Sequence, residues 1–212
     1  MAPKKKPSRG LLVTFEGIDG CGKTTQLRLA RRFLVAQGRS VAVLREPGST
    51  PVAERIRRLL LDRRSSMSHV TELLLYEAAR CEITRLKIAP LLEAGRVVLC
   101  DRFYDSTTAY QGYGRGIDVA LVARLHRLAV GPIRPDLTFV FDIDPATARS
   151  RLGRRLDRLE SQAAAFHRRV RRGFLEIARR EPRRVKVIDG TGPVDQVFEE
   201  VRRHLLGKLK RP

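Results

Sequence analysis

Short apolar runs and longer amphipathic stretches alternate along the chain. The apolar runs have the length and composition of β-strands, and they are Leu11–Glu16, Ser40–Leu44, Val97–Cys100, Leu137–Ile143 and Val185–Ile188. In the amphipathic stretches apolar residues recur every three or four positions, which predicts helices. These predicted helices are Lys23–Gln37, Val52–Leu61, His69–Ala94, Asp118–Val130, Pro145–Leu152, Ser161–Arg180 and Val194–Leu206.

The alternation of strands and helices predicts the fold class. Strands that are separated by helices pair in parallel through crossover connections, with helices on both faces of the sheet. The nearly continuous apolar run Leu137–Ile143 is typical of a strand buried on both faces. We therefore expect an α/β fold with a five-stranded parallel sheet. The long stretch His69–Ala94 is expected to bend near Pro90 and to end at Gly95.

The chain of 212 residues has the length of one globular domain. Residues 10–208 are expected to form that domain, because neither an internal repeat nor a low-complexity linker divides them. Residues 1–9, which include Lys4, Lys5 and Lys6, are expected to be a disordered basic tail.

The apolar segments also bear on the compartment. No apolar run is long enough to span a membrane, and Leu11–Phe15 is too short for the core of a signal peptide. The three cysteines are widely spaced and form no CxxC, so neither a disulfide framework nor a zinc site is expected. These features favour a cytoplasmic protein. Cys21 stands where backbone N–H groups would converge and lower a thiol pKa, or it is only a small residue that fits a loop.

The formal charge of +20 favours a polyanionic partner. That partner is either a nucleic acid or a small phosphorylated substrate. Most of the excess comes from arginines scattered along predicted helices, where charges commonly face solvent. They include Arg31, Arg32, Arg57, Arg58, Arg168, Arg169, Arg171, Arg172, Arg202 and Arg203. We therefore do not expect nucleic acid as the partner.

Charged or glycine-rich residues follow every predicted strand. In parallel α/β sheets ligands bind at the carboxyl ends of the strands, so these residues are expected to share one site. They are Glu16 and Gly17, Arg45 to Gly48, Asp101 and Arg102, Asp142 and Asp144, and Asp189 and Gly190.

The segment from Gly17 to Thr24 reads GIDGCGKT and fits G-x-x-x-x-G-K-[ST]. It lies between a predicted strand and a predicted helix, as a phosphate-binding loop requires. We expect Lys23 to reach the β- and γ-phosphates of ATP and Thr24 to hold Mg²⁺ through its hydroxyl. The expected ATP contacts are Gly17, Gly20, Cys21, Gly22, Lys23, Thr24 and Thr25. GTPases share such a loop, but the guanine-reading N-K-x-D is absent.

Three further segments give the loop a context: REPGST at Arg45–Thr50, YEAAR at Tyr76–Arg80 and DRFYDSTTAYQGYGRG at Asp101–Gly116. Together with the loop they resemble the thymidylate kinase family, from about Gly10 to Leu206. The resemblance implies a P-loop nucleotide kinase that phosphorylates dTMP to dTDP with Mg-ATP, a step in dTTP synthesis, and that forms a homodimer. The alternatives are a kinase for another nucleoside monophosphate or deoxynucleoside and, more distantly, a nucleic-acid-binding P-loop protein.

The resemblance assigns roles in the first two segments. It implies that Arg45 binds the acceptor phosphate, although an ion pair with Glu46 is the competing interpretation. Ser49 replaces a glycine of the family pattern. Tyr76 is expected to stack on thymine, unless it is a core aromatic. Arg80 is expected to contact a base carbonyl, unless it is a solvated helix charge.

The third segment follows the third strand. Asp101 is expected to act on Mg²⁺, and Arg102 to bridge the phosphates of both substrates. Tyr110 matches a tyrosine that packs under the sugar. Further pocket residues implied by the resemblance are Ser106, Thr107 and Gln111. One residue of the stretch Ser106–Gln111 is also expected to be a helix N-cap, which is compatible with a place in the pocket.

The resemblance also implies which residues supply charge for catalysis. Asp19 corresponds to an acidic residue near the acceptor sugar and phosphate, and Gly20 stands where many relatives carry an arginine. The basic stretch Arg149–Glu160 resembles the lid of the bacterial members of the family and would replace that charge. Its best matches are Arg149, Arg151 and Arg158, and Arg154 or Arg155 would compensate for Gly153. The residues expected to act in catalysis are Lys23, Arg102, Arg149, Arg151 and Asp19.

Overall fold

A computed structural model describes residues 9–153 and 156–209. The predicted tail, except for Arg9, and the lid residues Arg154 and Arg155 lie outside the described residues. The five predicted strands form one parallel sheet in the order β2-β3-β1-β4-β5, which confirms the predicted fold class. The strands are β1 (Leu11–Glu16), β2 (Val41–Arg45), β3 (Val97–Asp101), β4 (Leu137–Asp142) and β5 (Val185–Asp189).

The helices begin with α1 after the phosphate loop. Their bounds are α1 (Lys23–Ala36), α2 (Pro51–Leu61), α3 (His69–Ile83), α4 (Ala89–Glu93), α5 (Tyr104–Thr107), α6 (Val119–Val130), α7 (Pro145–Ser150), α8 (Ala164–Arg180) and α9 (Val194–Leu209). Side-chain oxygens of Thr50, Ser68, Asp118 and Asp144 accept hydrogen bonds from the first turns of α2, α3, α6 and α7. In the described part of the chain, no helix is long and apolar enough to cross a membrane.

Two apolar cores cover the two faces of the sheet. Side chains of neighbouring strand residues point to opposite faces, so Leu12 and Val13 of β1 belong to different cores. Val13 and Phe15 face α1, α8 and α9, whereas Leu12 faces the helices that follow α3. This arrangement leaves the carboxyl ends of β1, β2 and β3 free to carry the loops of the site.

Two π-helical segments were not predicted. The stretch predicted as His69–Ala94 is helical from His69 to Glu93, but its α-helical course is interrupted by the π-helical residues Thr84–Ile88, ahead of the expected bend near Pro90. The second, Thr108–Gly114, continues α5 and packs closely on α8. A Cβ on Gly114 would lie 2.8 Å from the ring of Phe166 on α8. Segments of this kind are frequent at functional sites, and they change which side chains face a pocket.

The interpretation of the Ser106–Gln111 stretch as a helix N-cap is wrong. Ser106 and Thr107 lie inside α5, and the residue at its N-cap position is Phe103, which provides no side-chain cap. Their hydroxyl groups bond to charged side chains of the site instead.

Candidate active site

The phosphate loop connects the buried strand β1 to α1. Gly17, Gly20 and Gly22 all have positive φ angles, of 132°, 84° and 94°. Glycine adopts such angles without steric cost, which lets the backbone curve around an anion. The N-terminus of α1 then points its free N–H groups and partial positive charge into the curve.

Lys23 and Thr24 project from the first turn of α1. The ammonium group of Lys23 is buried, donates to the carbonyl oxygen of Ile18 at 3.0 Å, and lies 3.6 Å from the carboxylate of Asp19. The hydroxyl of Thr24 donates to the carboxylate of Asp101 at 3.1 Å, across the gap between α1 and the end of β3. The loop thus holds the ammonium group of Lys23 through these two contacts.

The pair Thr24 and Asp101 fits a Mg²⁺ ion. Magnesium in nucleotide sites is held by one or two protein oxygens, with phosphates and water completing an octahedron. The Thr24 hydroxyl and the Asp101 carboxylate line one open cleft and provide such a set of oxygen ligands. Within residues 9–153 and 156–209 no group of three His, Cys, Asp or Glu residues could form an all-protein metal site. These residues therefore suit an ion that arrives with the nucleotide.

An open cleft of about 790 Å³ lies over the phosphate loop. The phosphate loop and residues at the carboxyl ends of β2, β3 and β5 form its walls. Among the residues predicted from the sequence, Asp19, Gly20, Cys21, Gly22, Lys23, Thr24, Thr25, Arg45, Asp101, Arg102 and Arg151 line it. Gly17, the first residue of the loop, does not line the cleft, and its carbonyl oxygen accepts a hydrogen bond from Arg102 at 2.9 Å. The Gly190–Pro193 turn after β5 borders the same cleft.

Gly20 is in contact with α7. A Cβ at this position would lie 2.1 Å from the carbonyl oxygen of Ala148, closer than any real Cβ contact. The φ angle of 84° adds backbone strain for any other residue. Backbone packing therefore excludes an arginine side chain from this loop position.

Cys21 is a structural residue of the loop. Its side chain is buried in the core, and burial raises the pKa of its thiol in spite of the nearby charge of Lys23. The expected lowering of the thiol pKa is wrong, and the simpler interpretation of a small residue that fits the loop agrees with the structure.

Arg102 connects the phosphate loop to a second cavity. Its guanidinium donates to the carboxylate of Asp19 at 2.7 Å and to the hydroxyl of Ser106 at 3.0 Å, and it lies 5.2 Å from the ring centre of Tyr110. Burial alone would raise the pKa of Asp19, but Arg102 and Lys23 outweigh it and hold that pKa well below its usual range. Asp19 is thus a carboxylate throughout the physiological range.

The backbone of Arg102 is left-handed, with φ of 69°. Glu16, which is fully buried at the end of β1, accepts hydrogen bonds from the Phe103 amide and the Ser106 hydroxyl, which both follow Arg102 in the chain. These bonds hold the strained turn and give Arg102 a fixed direction. Burial, together with the nearby Asp105, raises the pKa of Glu16 to about 8.

The second cavity adjoins the cleft and has a volume of about 60 Å³. Asp19 and Arg102 line both spaces. The other residues expected to bind the acceptor that line this cavity are Tyr76, Arg80, Ser106, Thr107, Tyr110 and Gln111. The structure thus brings together residues that are far apart in the sequence.

Arg80 is almost fully buried in the wall of this cavity, so its interpretation as a solvated charge is wrong. It forms ion pairs of 2.8 Å with Glu46 and 2.7 Å with Glu77, and it donates to the hydroxyl of Thr107 at 2.8 Å. Burial raises the pKa of Glu46 to about 7, although Arg80 opposes that shift. Two carboxylates therefore hold the guanidinium at the edge of the pocket.

The two tyrosines of the cavity differ in exposure. Tyr110 is buried, and Phe166 and Phe174 contact its ring edge to face. Tyr76 is only partly buried, and it packs against the same core while lining the cavity. Burial raises the pKa of both phenols, which keeps them neutral. Tyr76 is therefore both an aromatic residue at the edge of the core and a wall of the second cavity.

Arg45 lines the cleft rather than the second cavity. It does not pair with Glu46, as the competing interpretation had it, but with Glu54 on α2 through two contacts of 3.0 Å. Ser49 has a positive φ of 68°, which the glycine of the family pattern would adopt freely. Its hydroxyl bonds to both backbone polar groups of Arg45, and these bonds hold the turn.

The family model of thymidylate kinase matches residues 15–201. The chain is 48% identical to a thymidylate kinase of Geobacter sulfurreducens over 211 residues, which cover 95% of this chain and 99% of the relative. The chain belongs to the thymidylate kinase family. A thymidylate kinase of Symbiobacterium thermophilum is 46% identical, with 91% of each chain covered. The crystal structure of a thymidylate kinase from Ehrlichia chaffeensis matches with a TM-score of 0.79 and 36% identity, covering 93% of this chain and 99% of that one.

The basic lid predicted from the thymidylate kinase pattern divides into two parts. Arg151 lines the cleft and donates to the carbonyl oxygen of Gly190 at 2.9 Å. Arg149 is exposed and lines a separate cavity of about 200 Å³ beside α7 and α8, which it shares with Asp19. Both arginines therefore adjoin the phosphate loop, Arg151 in the cleft and Arg149 in the separate cavity that Asp19 also lines.

Arg158 does not face the cleft as a phosphate-binding lid residue would. It forms an ion pair of 2.7 Å with Glu72 on α3 and donates to the carbonyl oxygen of Leu60 at 2.7 Å. Next to it, Asp157 accepts hydrogen bonds from the amides of Leu159 and Glu160, and Asp157 and Leu159 line the second cavity. The end of the predicted lid is thus part of the wall of the second cavity.

Arg57 is a residue of the site that the sequence pattern does not predict. Its spacing is that of a solvated helix arginine, yet it lines both cavities and donates to the carbonyl oxygen of Pro47 at 2.9 Å. Glu46, one of the residues after the second strand that are expected at the site, also lines both cavities. Its position within REPGST was a usable signal, whereas the helical spacing of Arg57 resembles that of any surface arginine.

Proposed function

We propose that the protein transfers the γ-phosphoryl group of Mg-ATP to dTMP, which gives ADP and dTDP and serves dTTP synthesis. Membership of the thymidylate kinase family supports this reaction. The observation that carries the residue roles is that two adjoining cavities meet at Asp19 and Arg102. One of them holds a phosphate loop, and the other holds buried polar and aromatic side chains suited to a base.

The donor nucleotide is proposed to lie in the cleft. The loop from Gly17 to Gly22 and the N-terminus of α1 bind its phosphates, and Lys23 exchanges its bonds with the loop for bonds to the β- and γ-phosphates. Mg²⁺, held by Thr24 and Asp101, would neutralise charge that develops on the phosphate oxygens.

The acceptor is proposed to lie in the second cavity. Tyr76 and Tyr110 form apolar walls for the base and the sugar, while Arg80 and Gln111 are the polar groups for the base edge. Arg45 and Arg57 then lie on the side of the cleft where the acceptor phosphate meets ATP. A guanidinium binds phosphate oxygens through two parallel bonds, which suits this task.

Transfer requires positioning and positive charge more than covalent assistance. Arg102 reaches both cavities and Arg151 reaches the cleft, so these two residues are proposed to stabilise the transferring group. The attacking atom is an oxygen of a phosphate that is already ionised, so the reaction requires no general base.

A coupled assay of ADP formation tests the proposal across dTMP, dUMP, dGMP, dCMP and thymidine. We expect dTMP to have the highest kcat/KM. If another nucleotide or thymidine is the better acceptor, the substrate assignment is wrong. Salt-sensitive DNA binding without ADP formation, unaffected by Lys23→Ala, would instead favour the nucleic-acid alternative.

We also propose that two copies of the chain form a dimer. Apolar residues are exposed on neighbouring helices: Leu59 on α2, Val70 and Leu74 on α3, and Leu128 on α6. Val70 and Leu74 are four residues apart and share one face of α3. Light scattering after size exclusion is expected to give twice the chain mass for the native protein and the chain mass for Leu74→Glu. An unchanged dimer in that variant would place the interface elsewhere.

A further inference from the structure

Glu72 is a buried carboxylate on α3 that the predicted site does not include. Its side chain is 1% exposed. It accepts hydrogen bonds from the amide nitrogen of Gln111 at 2.8 Å and from Arg115 at 3.1 and 3.0 Å. The guanidinium of Arg158 lies 2.7 Å away on the remaining side. One carboxylate therefore joins a residue of the acceptor cavity to two arginines outside it.

The charge on Glu72 decides how the side-chain amide of Gln111 is oriented. Burial alone would raise the pKa of Glu72, but the hydrogen bonds of Arg115 and Gln111 and the charges of Arg115 and Arg158 outweigh it and lower that pKa. An ionised carboxylate only accepts hydrogen bonds. Gln111 must therefore turn its NH₂ group towards Glu72, because its carbonyl oxygen there would face another acceptor.

We propose that Glu72 is a specificity-determining residue, because it fixes the Gln111 amide so that the carbonyl oxygen is presented to the base. Gln111 is almost fully buried and lines the acceptor cavity, where Arg80 provides N–H donors. The inference rests on the proposed function, because it assumes that a nucleoside monophosphate binds there.

An acceptor oxygen next to a donor selects one type of pyrimidine edge. Thymine and uracil present an N–H at position 3 and a carbonyl at position 4, which pair with the oxygen of Gln111 and the guanidinium of Arg80. Cytosine presents a bare nitrogen at position 3 and an amino group at position 4. The oxygen of Gln111 would then face another acceptor, and the guanidinium of Arg80 would face another donor. Buried polar groups left unpaired in this way weaken binding strongly.

The experiment replaces the carboxylate by an amide, Glu72→Gln. The new amide can donate or accept, so Gln111 can turn over and offer N–H to the nitrogen of cytosine. We expect the ratio of kcat/KM for dTMP to that for dCMP to fall by about 10- to 100-fold, the range for one buried polar mismatch. The KM for ATP is expected to stay the same, since Glu72 does not line the cleft. Calorimetric binding of dTMP and dCMP measures the same ratio without turnover.

A matched control separates this role from a structural one. Arg115→Gln removes the bonds of Arg115 to Glu72 but leaves the Glu72–Gln111 bond, so the dTMP to dCMP ratio is expected to stay as in the native protein. The double variant Glu72→Gln with Arg115→Gln removes one charge of each sign. It is expected to fold even where Glu72→Gln alone does not, and to show the lowered ratio.

The outcomes distinguish this inference from the proposed function. If the native protein phosphorylates dTMP but the single and double variants keep its ratio, Glu72 does not set base specificity. An equal loss of activity with both nucleotides would show a purely structural role for Glu72. If the native protein does not phosphorylate dTMP at all, the proposed function itself fails.

Discussion

Replacing Gly20 by alanine, with Gly22→Ala as the matched control, tests whether α7 packing excludes a side chain from the loop. Both glycines have positive φ angles, so each alanine carries a backbone strain of about 1–2 kcal/mol. They differ in space, because a Cβ on Gly20 would lie 2.1 Å from the Ala148 carbonyl oxygen whereas a Cβ on Gly22 meets nothing within 4 Å. Displacing the α7 backbone adds an overpacking cost of about 1–3 kcal/mol at position 20 alone.

Urea unfolding of the two variants and the native protein measures this difference. We expect Gly20→Ala to lose about 2–5 kcal/mol of unfolding free energy and Gly22→Ala only about 1–2 kcal/mol. Equal losses would refute the packing argument. In that case the absence of an arginine at this position would have to be explained by chemistry rather than by space.

Three further predictions concern charge. Arg151→Ala is expected to lower kcat about 10- to 100-fold with little change in the KM for dTMP; a weakened dTMP affinity at unchanged turnover would contradict a lid role for this residue. Asp101→Asn is expected to raise the Mg²⁺ concentration for half-maximal activity about tenfold or more, and an unchanged requirement would remove this residue from the metal site. Burial and Asp105 raise the pKa of Glu16 from 4.5 to about 8. The folded protein therefore binds the proton of Glu16 more tightly than the unfolded chain does. This contribution to stability is complete below pH 4.5 and is lost as the pH rises towards 8. The loss of unfolding free energy between about pH 5 and pH 8 should therefore be larger in the native protein than in Glu16→Gln, and parallel pH profiles would contradict the raised pKa.

The sheet was predictable because its signal is local. Each strand is a short apolar run followed by polar residues, and parallel pairing follows from the helices between the runs. The β4 residues are buried on both faces, as the continuous run Leu137–Ile143 indicates. The π-helical segment Thr108–Gly114 was not predictable in this way, since it depends on the close approach of α8 to Gly114.

The partners of charged side chains were not predictable, because they lie far apart in the sequence. Arg80 pairs with Glu46, 34 residues earlier. Arg158 pairs with Glu72 on α3, and this ion pair holds a residue of the basic lid away from the cleft. A motif can name the residue types of a site, but it does not show which carboxylate holds which arginine.

The arginines of this chain explain why its charge of +20 is a weak indicator of function. The buried Arg80 and the largely buried Arg102, Arg115 and Arg158 all have carboxylate partners, as the cost of burying an unpaired charge requires. These ion pairs offset most of the charge of the four arginines, so the excess comes mainly from other basic residues. Among those, Arg151 differs from a solvated arginine because it lines the cleft and donates to the carbonyl oxygen of Gly190. Composition counts both kinds equally, and only the fold separates the arginine that can stabilise a phosphoryl group from those that cannot.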